Sequence, residues 1–184
     1  MGAWTLKDSV AGAYSGRKFW FSKDIAEGGE DASLTTTNAL AIPANAYLVF
    51  VHKYATEATF DGGVVEASAD NGVSWTAIPA AKFVKGSYNG IITTANTAQI
   101  GPANLAAFTG ASPGYITSIA MLDNYSGMNI KVRFRMVSDA PGTAVDGWSI
   151  DNVLVLSNPI ELLNNATVYG IMGDPIRESR GSNA

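Results

Sequence analysis

The chain has 184 residues, of which 47% are hydrophobic and 15% charged, with a formal net charge of −4. This composition indicates a folded globular domain and excludes an intrinsically disordered chain. The basic residues are too few and too scattered to neutralise a phosphate backbone, so we expect no nucleic-acid binding. No stretch approaches the roughly 20 apolar residues of a membrane-spanning helix, so we also expect no membrane insertion.

The strand signals follow one another along the chain and are separated by glycine-rich turns. In order, they cover 19–21, 47–54, 63–69, 75–78, 115–121, 130–136 and 148–156. The clearest is 130–136, where apolar residues alternate with Lys131, Arg133 and Arg135, as in a strand with one face in water. Near its end, the segment 148–156 is apolar at both odd and even positions. The best helix candidates, 103–108 and 160–164, are short.

Many strands without a β-α-β rhythm predict an all-β fold, a β-sandwich of two antiparallel sheets with jelly-roll topology. We assign residues 1–157 to this domain and residues 158–184 to a C-terminal extension or linker. The chain contains no cysteine, so disulfides and thiolate chemistry are excluded. The first residues have no basic region followed by an apolar run, and no signal peptide is predicted there.

A turn motif lies between the third and fourth predicted strands. Ser68, Asp70, Gly72 and Trp75 have the spacing of an Asp-box, in which the carboxylate accepts backbone N–H groups and the glycine adopts a positive φ. Turn chemistry accounts for the whole motif. We therefore interpret it as a structural hairpin without catalytic meaning.

Four acids are candidate metal ligands because each lies in or beside a turn or at a strand end. They are Asp31, Glu57, Asp61 and Asp151. Calcium takes six to eight hard oxygen ligands, and a loop such as Asp61-Gly62-Gly63 offers both a carboxylate and exposed carbonyls. On spacing alone, the alternative that these are solvated loop acids is favoured, because acidic turns are common.

Other residue types restrict the chemistry further. The single histidine, His52, lies inside an apolar run, so a zinc site or a Ser-His-Asp triad is not indicated. A carboxylate glycosidase needs only two acids at a defined separation, but no pair is conspicuous. Tyr88, Tyr115 and Tyr125 lie in the loop-rich middle of the chain and are the candidate ligand-binding residues.

The order of several motifs from about residue 13 to 156 resembles the jelly-roll accessory domain of immune inhibitor A-type secreted metalloproteases and related MAM-like bacterial surface modules. The matching stretches are 15–17, Trp20, Asp31, 48–54, Glu57, 61–66 with the Asp-box hairpin, 108–110, 125–127, 132–135, 138–139 and 147–153. The resemblance implies a noncatalytic domain of a secreted or surface protein, often with structural calcium. It strengthens the calcium hypothesis for all four acids, and for Asp151 above all. The position after Asp151 is Asn152 rather than the usual second aspartate.

The leading hypothesis is therefore a noncatalytic binding or adhesion module of a secreted or cell-surface protein. It would bind a glycan or a surface protein and carry a structural calcium ion. The alternative is a structural domain that packs against neighbouring domains of a longer chain or against other protomers. A carboxylate glycosidase is the third and least favoured hypothesis.

Overall fold

The computed structural model describes residues 4–24, 30–93, 104–139 and 145–157. Thirteen strands occur in these ranges: β1 (Thr5–Asp8), β2 (Lys18–Lys23), β3 (Glu30–Thr35), β4 (Leu40–Ala41), β5 (Tyr47–Ala55), β6 (Gly62–Ser68), β7 (Thr76–Ala77), β8 (Phe83–Lys85), β9 (Gly90–Ile92), β10 (Leu105–Ala107), β11 (Ile116–Met121), β12 (Asn129–Ser138) and β13 (Gly147–Leu156). The described helical structure consists of single 3₁₀ turns at Ala80–Lys82 and Asp123–Tyr125. Within these ranges, no helix is long and apolar enough to cross a membrane.

Two antiparallel sheets form the sandwich. One has the order β1-β2-β13-β5-β11-β8, and the other has the order β3-β12-β6-β7, with β4 added beside β12. If the eight strands β2, β3, β5, β6, β7, β11, β12 and β13 are counted along the chain, the sheets read 1-8-3-6 and 2-7-4-5. This order is that of a jelly roll built from two Greek keys. The prediction of an all-β sandwich is confirmed.

The core between the sheets is centred on aromatic side chains. Phe50, Phe108, Phe134 and Trp148 are fully buried, and their rings pack at tilted or edge-on angles. A methyl group on Gly63 would overlap the ring of Trp148. The second glycine of the 61–63 loop is therefore required by core packing.

One predicted helix is a strand. Residues 105–107, inside the helix predicted over 103–108, form β10 and pair with β9. The β9–β10 pair lies against the outer side of the second sheet, where Ala107 joins Val64 and Val137 in a small apolar cluster. Burial on this cluster determines the conformation of a segment too short to form a stable helix alone. The other helix candidate, 160–164, and the predicted extension 158–184 lie outside the described residues.

A bulge in β13 explains why apolar residues occur at both odd and even positions of this strand. Asp151 pairs with Val51 and Leu154 with Val49, so three steps along β13 match two along β5. The extra residue is accommodated at Asn152, which has a φ of 48°. As a result, Asp151 and Leu154 both point to the outer face of the six-stranded sheet.

Candidate metal centre

Several strand ends meet at one end of the sandwich. Asp24 directly follows β2, Asp61 directly precedes β6, and Asp139 directly follows β12. At the same end, Gly147 begins β13 and pairs with both Lys23 and Ala55. The jelly-roll topology therefore brings these three acids together, although as many as 115 residues separate them in the sequence.

Four carboxyl groups converge there. Single carboxylate oxygens of Glu57, Asp61 and Asp139 lie within 4.8 Å of one another. The carboxyl of Asp24 lies nearby and contributes to raising the pKa of Asp61. Asp24, Asp61 and Asp139 are 0%, 1% and 7% exposed, whereas Glu57 is partly exposed.

The loop between β5 and β6 is held rigidly by threonine hydroxyls. Thr56 and Thr109 both donate to the carbonyl of Asp61, at 3.1 and 2.6 Å. The hydroxyl of Thr109 also accepts the backbone N–H of Thr59 at 2.9 Å. Thr59 has a φ of 68°, which is a strained value for a β-branched residue. These contacts fix Glu57 and Asp61 in place before any ligand binds.

The electrostatics of the cluster are unfavourable in the absence of a cation. Burial, together with the neighbouring Asp24 and Asp139, raises the pKa of Asp61 to about 8, although Asp61 accepts the backbone N–H of Asp139 at 2.7 Å. Burial and the charges of Glu57 and Asp24 also raise the pKa of Asp139. Among the described residues, the buried Oδ1 atoms of Asp24 and Asp139 have no hydrogen-bond donor. Buried carboxylate oxygens normally find a donor or a metal, so these two are exceptional.

The donor set fits a hard divalent cation. It consists of carboxylate oxygens, with no histidine or cysteine among them, which favours calcium, magnesium or manganese over zinc and copper. The Oδ1 atoms of Asp24 and Asp139 provide ligand atoms that no described residue engages. Glu57, Asp61, Asp139 and Asp24 are therefore the residues that could hold such an ion, and their burial suits a structural site.

Two of the four acids predicted from sequence are in this cluster and two are not. Glu57 and Asp61 are members. Asp31 points to the outer face of the five-stranded sheet, where Arg135 donates to both of its oxygens at 2.7 Å. Asp151 lies on the outer face of the other sheet, about four residues along β13 from the cluster. Asp31 and Asp151 are thus engaged by donors of the protein itself.

The role of Asp151 is to hold the loop between β1 and β2. Its Oδ2 accepts the backbone N–H groups of Tyr14 and Ser15 at 2.9 and 3.2 Å, and its Oδ1 accepts that of Asn152 at 2.7 Å. The hydroxyl of Ser15 donates to the side chain of Asn152 at 2.8 Å. The 15–17 and 151–152 motifs therefore form one loop anchor on the outer face.

Asp24 and Asp139 were not predicted from the sequence as members of the cluster. Each directly follows a strand that ends at the same end of the sandwich, which is the signal that could have revealed them. Using this signal requires the strand order, because only the topology shows which strand ends are neighbours. Asp139 was noted in the resemblance but not as a ligand.

The three tyrosines predicted to bind a ligand do not form one surface. The hydroxyl of Tyr88 both donates to and accepts from the backbone of Val65, so it acts as part of the sheet. Tyr115 precedes β11, and Tyr125 lies beyond its other end, about 20 Å along the strand. Burial raises the pKa of all three tyrosines.

Tyr115 belongs to a small, partly exposed group on the six-stranded sheet. Its ring lies 5.6 Å from that of Tyr14, which is 54% exposed, and the ammonium of Lys53 lies 5.3 Å from its centre. Its hydroxyl donates to the carbonyl of Gly12 at 2.7 Å. We call Tyr14, Lys53 and Tyr115 the tyrosine patch.

His52 is a core residue, as its apolar neighbours in the sequence indicated. The indole N–H of Trp148 donates to Nδ1 at 3.1 Å, so the ring proton is on Nε2 and is donated to the hydroxyl of Ser118 at 2.8 Å. Burial lowers the pKa of His52 to about 3. A neutral histidine with both nitrogens engaged in the core does not act as a general base.

The Asp-box forms the turn expected of it. Asp70 accepts the backbone N–H and the hydroxyl of Ser74, and Ser68 donates to Asp70 at 2.7 Å. These bonds hold the pKa of Asp70 far below its usual range. Gly72 has a φ of 97°, and the indole N–H of Trp75 donates to its carbonyl.

Comparison with known proteins gives no family. No family model matches the chain, and no curated protein matches it. Among solved structures, it is similar to the Spr0440 glycoside hydrolase domain, Endo-D, from Streptococcus pneumoniae R6, at 11% identity and a TM-score of 0.49. That match covers 85% of this chain and 20% of the other. At this identity and TM-score, the similarity carries no information about the function of this chain.

Proposed function

We propose that this protein is a noncatalytic binding module whose loop end is held together by a structural calcium ion. The cluster of Glu57, Asp61 and Asp139 with the nearby Asp24 supports this proposal, because two of its buried oxygens have no donor in the part of the chain that the structure describes. Calcium is favoured over magnesium because it accepts irregular coordination and several protein carboxylates, whereas magnesium usually keeps several waters. A binding role in a secreted or cell-surface protein also agrees with the resemblance stated above.

The shape of the cluster favours a structural role over hydrolysis. Glycosidases place two carboxyl groups about 5–9.5 Å apart on either side of a sugar in an open cleft. Here single carboxylate oxygens of three acids, Glu57, Asp61 and Asp139, lie within 4.8 Å of one another, and Asp61 is 1% exposed. A substrate has no access to such a buried group.

The ligand of the module is assigned to the tyrosine patch. Tyr14 offers an exposed ring, and Tyr115 and Lys53 add a second ring and a cation beside it. Aromatic rings with a polar tip are typical of surfaces that bind sugars and proteins. A glycan or a surface protein is therefore the proposed partner.

Calcium titration by calorimetry tests the metal part of this proposal. After treatment with chelator, the protein should bind one calcium ion per chain, and Asp139→Asn should weaken that binding at least about tenfold by removing a charged ligand. Asp31→Asn is the matched control and should bind calcium as the unmodified chain does, because Asp31 pairs with Arg135. The absence of calcium uptake by the unmodified chain would refute the proposed site.

The ligand part has a separate test. The protein with calcium is applied to a glycan array and to cell-surface extracts, and Tyr14→Ala is compared with Val73→Ala. Val73 is 86% exposed and lies away from the tyrosine patch, in the Asp-box turn. Signals lost only in Tyr14→Ala would support the patch as the binding surface, and equal signals from both variants would refute it.

The second candidate function is assembly with neighbouring domains or other protomers. The exposed apolar side chains favour it, since Leu6, Val10 and Val84 are 48%, 65% and 56% exposed. A concentration-dependent oligomer measured by light scattering, without any added ligand, would favour this alternative.

A further inference from the structure

A second apolar cluster lies on the side of the six-stranded sheet that faces away from the core. Val49 on β5 is flanked by Leu154 on β13 and Ile119 on β11 in adjacent register positions. Leu156 continues the row, and its pairing partner is Tyr47. We call Val49, Ile119, Leu154 and Leu156 the outer cluster. It is distinct from the core, to which the alternate residues of β5 belong.

The outer cluster is buried without a described layer above it. Val49, Leu154 and Leu156 are only 4%, 7% and 6% exposed. The five-stranded sheet covers the opposite face, and the β9–β10 pair lies against the outer side of that other sheet. No further sheet of described strands remains to cover Val49 and its neighbours. Apolar side chains on a sheet face are stabilised only when another layer excludes water from them.

The chain itself supplies a suitable covering segment. Leu156 is the last residue of β13, and 27 residues follow Ser157 in the sequence. The first part, 159–169, includes Ile160, Leu162, Leu163, Val168 and Tyr169, whereas 170–184 is mainly polar. Eleven residues can span about 35 Å, which exceeds the roughly 10 Å across three adjacent strands. The bulge at Asn152 places both Leu154 and Leu156 on this face immediately before the segment begins.

We propose that segment 159–169 docks on the outer cluster and completes the domain, so that the folded unit extends beyond residue 157. The boundary of the linker then falls near Gly170. This inference is independent of the proposed calcium site and tyrosine patch, because none of their residues belongs to the outer cluster.

Thiol labelling in the full chain tests the proposal, because the protein has no cysteine of its own. Val49→Cys places one thiol of similar size at the centre of the outer cluster. Its alkylation should be at least about tenfold slower than that of Val73→Cys, an 86% exposed control. The test variant replaces three apolar residues of the segment, Ile160, Leu162 and Leu163, with asparagine, and it should abolish this protection. The control variant replaces three apolar residues beyond the segment, Ile171, Met172 and Ile176, with asparagine, and it should leave the protection unchanged.

Thermal melts give a readout that does not depend on the cysteine variant. The triple variant in the segment should lower Tm by roughly 5–10 °C, and the control triple variant should not. Equal labelling rates and equal Tm values for the two triple variants would overturn the proposal. Protection that disappears on dilution, with a matching change of mass in light scattering, would also overturn it and would make a second copy of the chain the occupant.

Discussion

Replacing Asp61 by asparagine should stabilise the protein at pH 8 in the absence of calcium, and calcium should reduce or remove that advantage. The asparagine retains the oxygen that accepts the backbone N–H of Asp139, a bond of 2.7 Å. It removes the negative charge that burial disfavours. The variant therefore keeps the local geometry and changes only the charge that calcium would need.

The magnitude without calcium follows from the pKa of Asp61. Burial raises this pKa to about 8 in the folded protein, whereas an unfolded aspartate ionises near 3.8. The folded chain therefore binds one more proton than the unfolded chain between these values, so its free energy of unfolding falls as the pH rises through this window. At about 1.4 kcal/mol per pH unit, the loss from pH 5 to pH 8 is at most about 4 kcal/mol, and Asp61→Asn does not suffer it.

Calcium narrows the difference between the two chains. At a concentration 100 times its dissociation constant, a ligand that binds only the folded state adds about 2.7 kcal/mol, or roughly 5–10 °C in Tm for a chain of this size. The unmodified chain should gain this at pH 8, and Asp61→Asn should gain much less. At pH 8, the variant should thus be the more stable protein in chelator, and its advantage should shrink or disappear in calcium.

The assay is urea unfolding of both chains at pH 5 and pH 8, in chelator and in calcium. The titration of His52, whose pKa is lowered to about 3, affects both chains equally and cancels in their difference. Asp31→Asn is the control and should show neither effect. If Asp61→Asn destabilised the protein equally at both pH values in chelator, the reasoning about the buried charge would be refuted. If calcium did not shift the unmodified chain, the metal site would be refuted.

Three further predictions concern the scaffold and can be measured by urea unfolding. Gly63→Ala should destabilise by about 3 kcal/mol or more because the new methyl group overlaps Trp148, and adding Trp148→Phe should recover part of the loss. His52→Leu should lower the free energy of unfolding by about 2–4 kcal/mol because it leaves the indole N–H of Trp148 unpaired. This cost should be smaller at pH 5 than at pH 7, because at pH 5 the unmodified chain protonates His52 only when unfolded and is itself less stable. Ser68→Ala should cost about 1–3 kcal/mol because a turn N–H loses its acceptor, while Val73→Ala should cost nothing measurable.

The fold was predictable because local patterns and topology agree. The alternation in 130–136 gave β12, and the absence of sustained helical periods gave the all-β class. Residues 105–107 could not be assigned correctly because β10 depends on packing against Val64 and Val137, which are distant in sequence. The sequence shows apolar residues at both odd and even positions near the end of 148–156, but their cause, the bulge at Asn152, is a tertiary feature.

The site was predictable only in part for a similar reason. Glu57 and Asp61 lie in one loop, so the sequence itself placed them together. Asp24 and Asp139 lie in other loops, and only the strand order makes them neighbours. Asp31 was indistinguishable from a ligand in the sequence because its engagement by Arg135 depends on the register between β3 and β12.

The position of the acid cluster suggests what a bound cation would do for the sandwich. Asp24 follows β2 of the six-stranded sheet, whereas Asp61 and Asp139 flank β6 and β12 of the five-stranded sheet. An ion held by all three therefore joins the two sheets at one end. Without an ion, the same end keeps raised pKa values and, among the described residues, carboxylate oxygens without donors, which destabilises it. Because a cation removes both defects at once, removal of calcium should open this end first, and amide exchange near Asp61 should accelerate before exchange near Phe134 in the core.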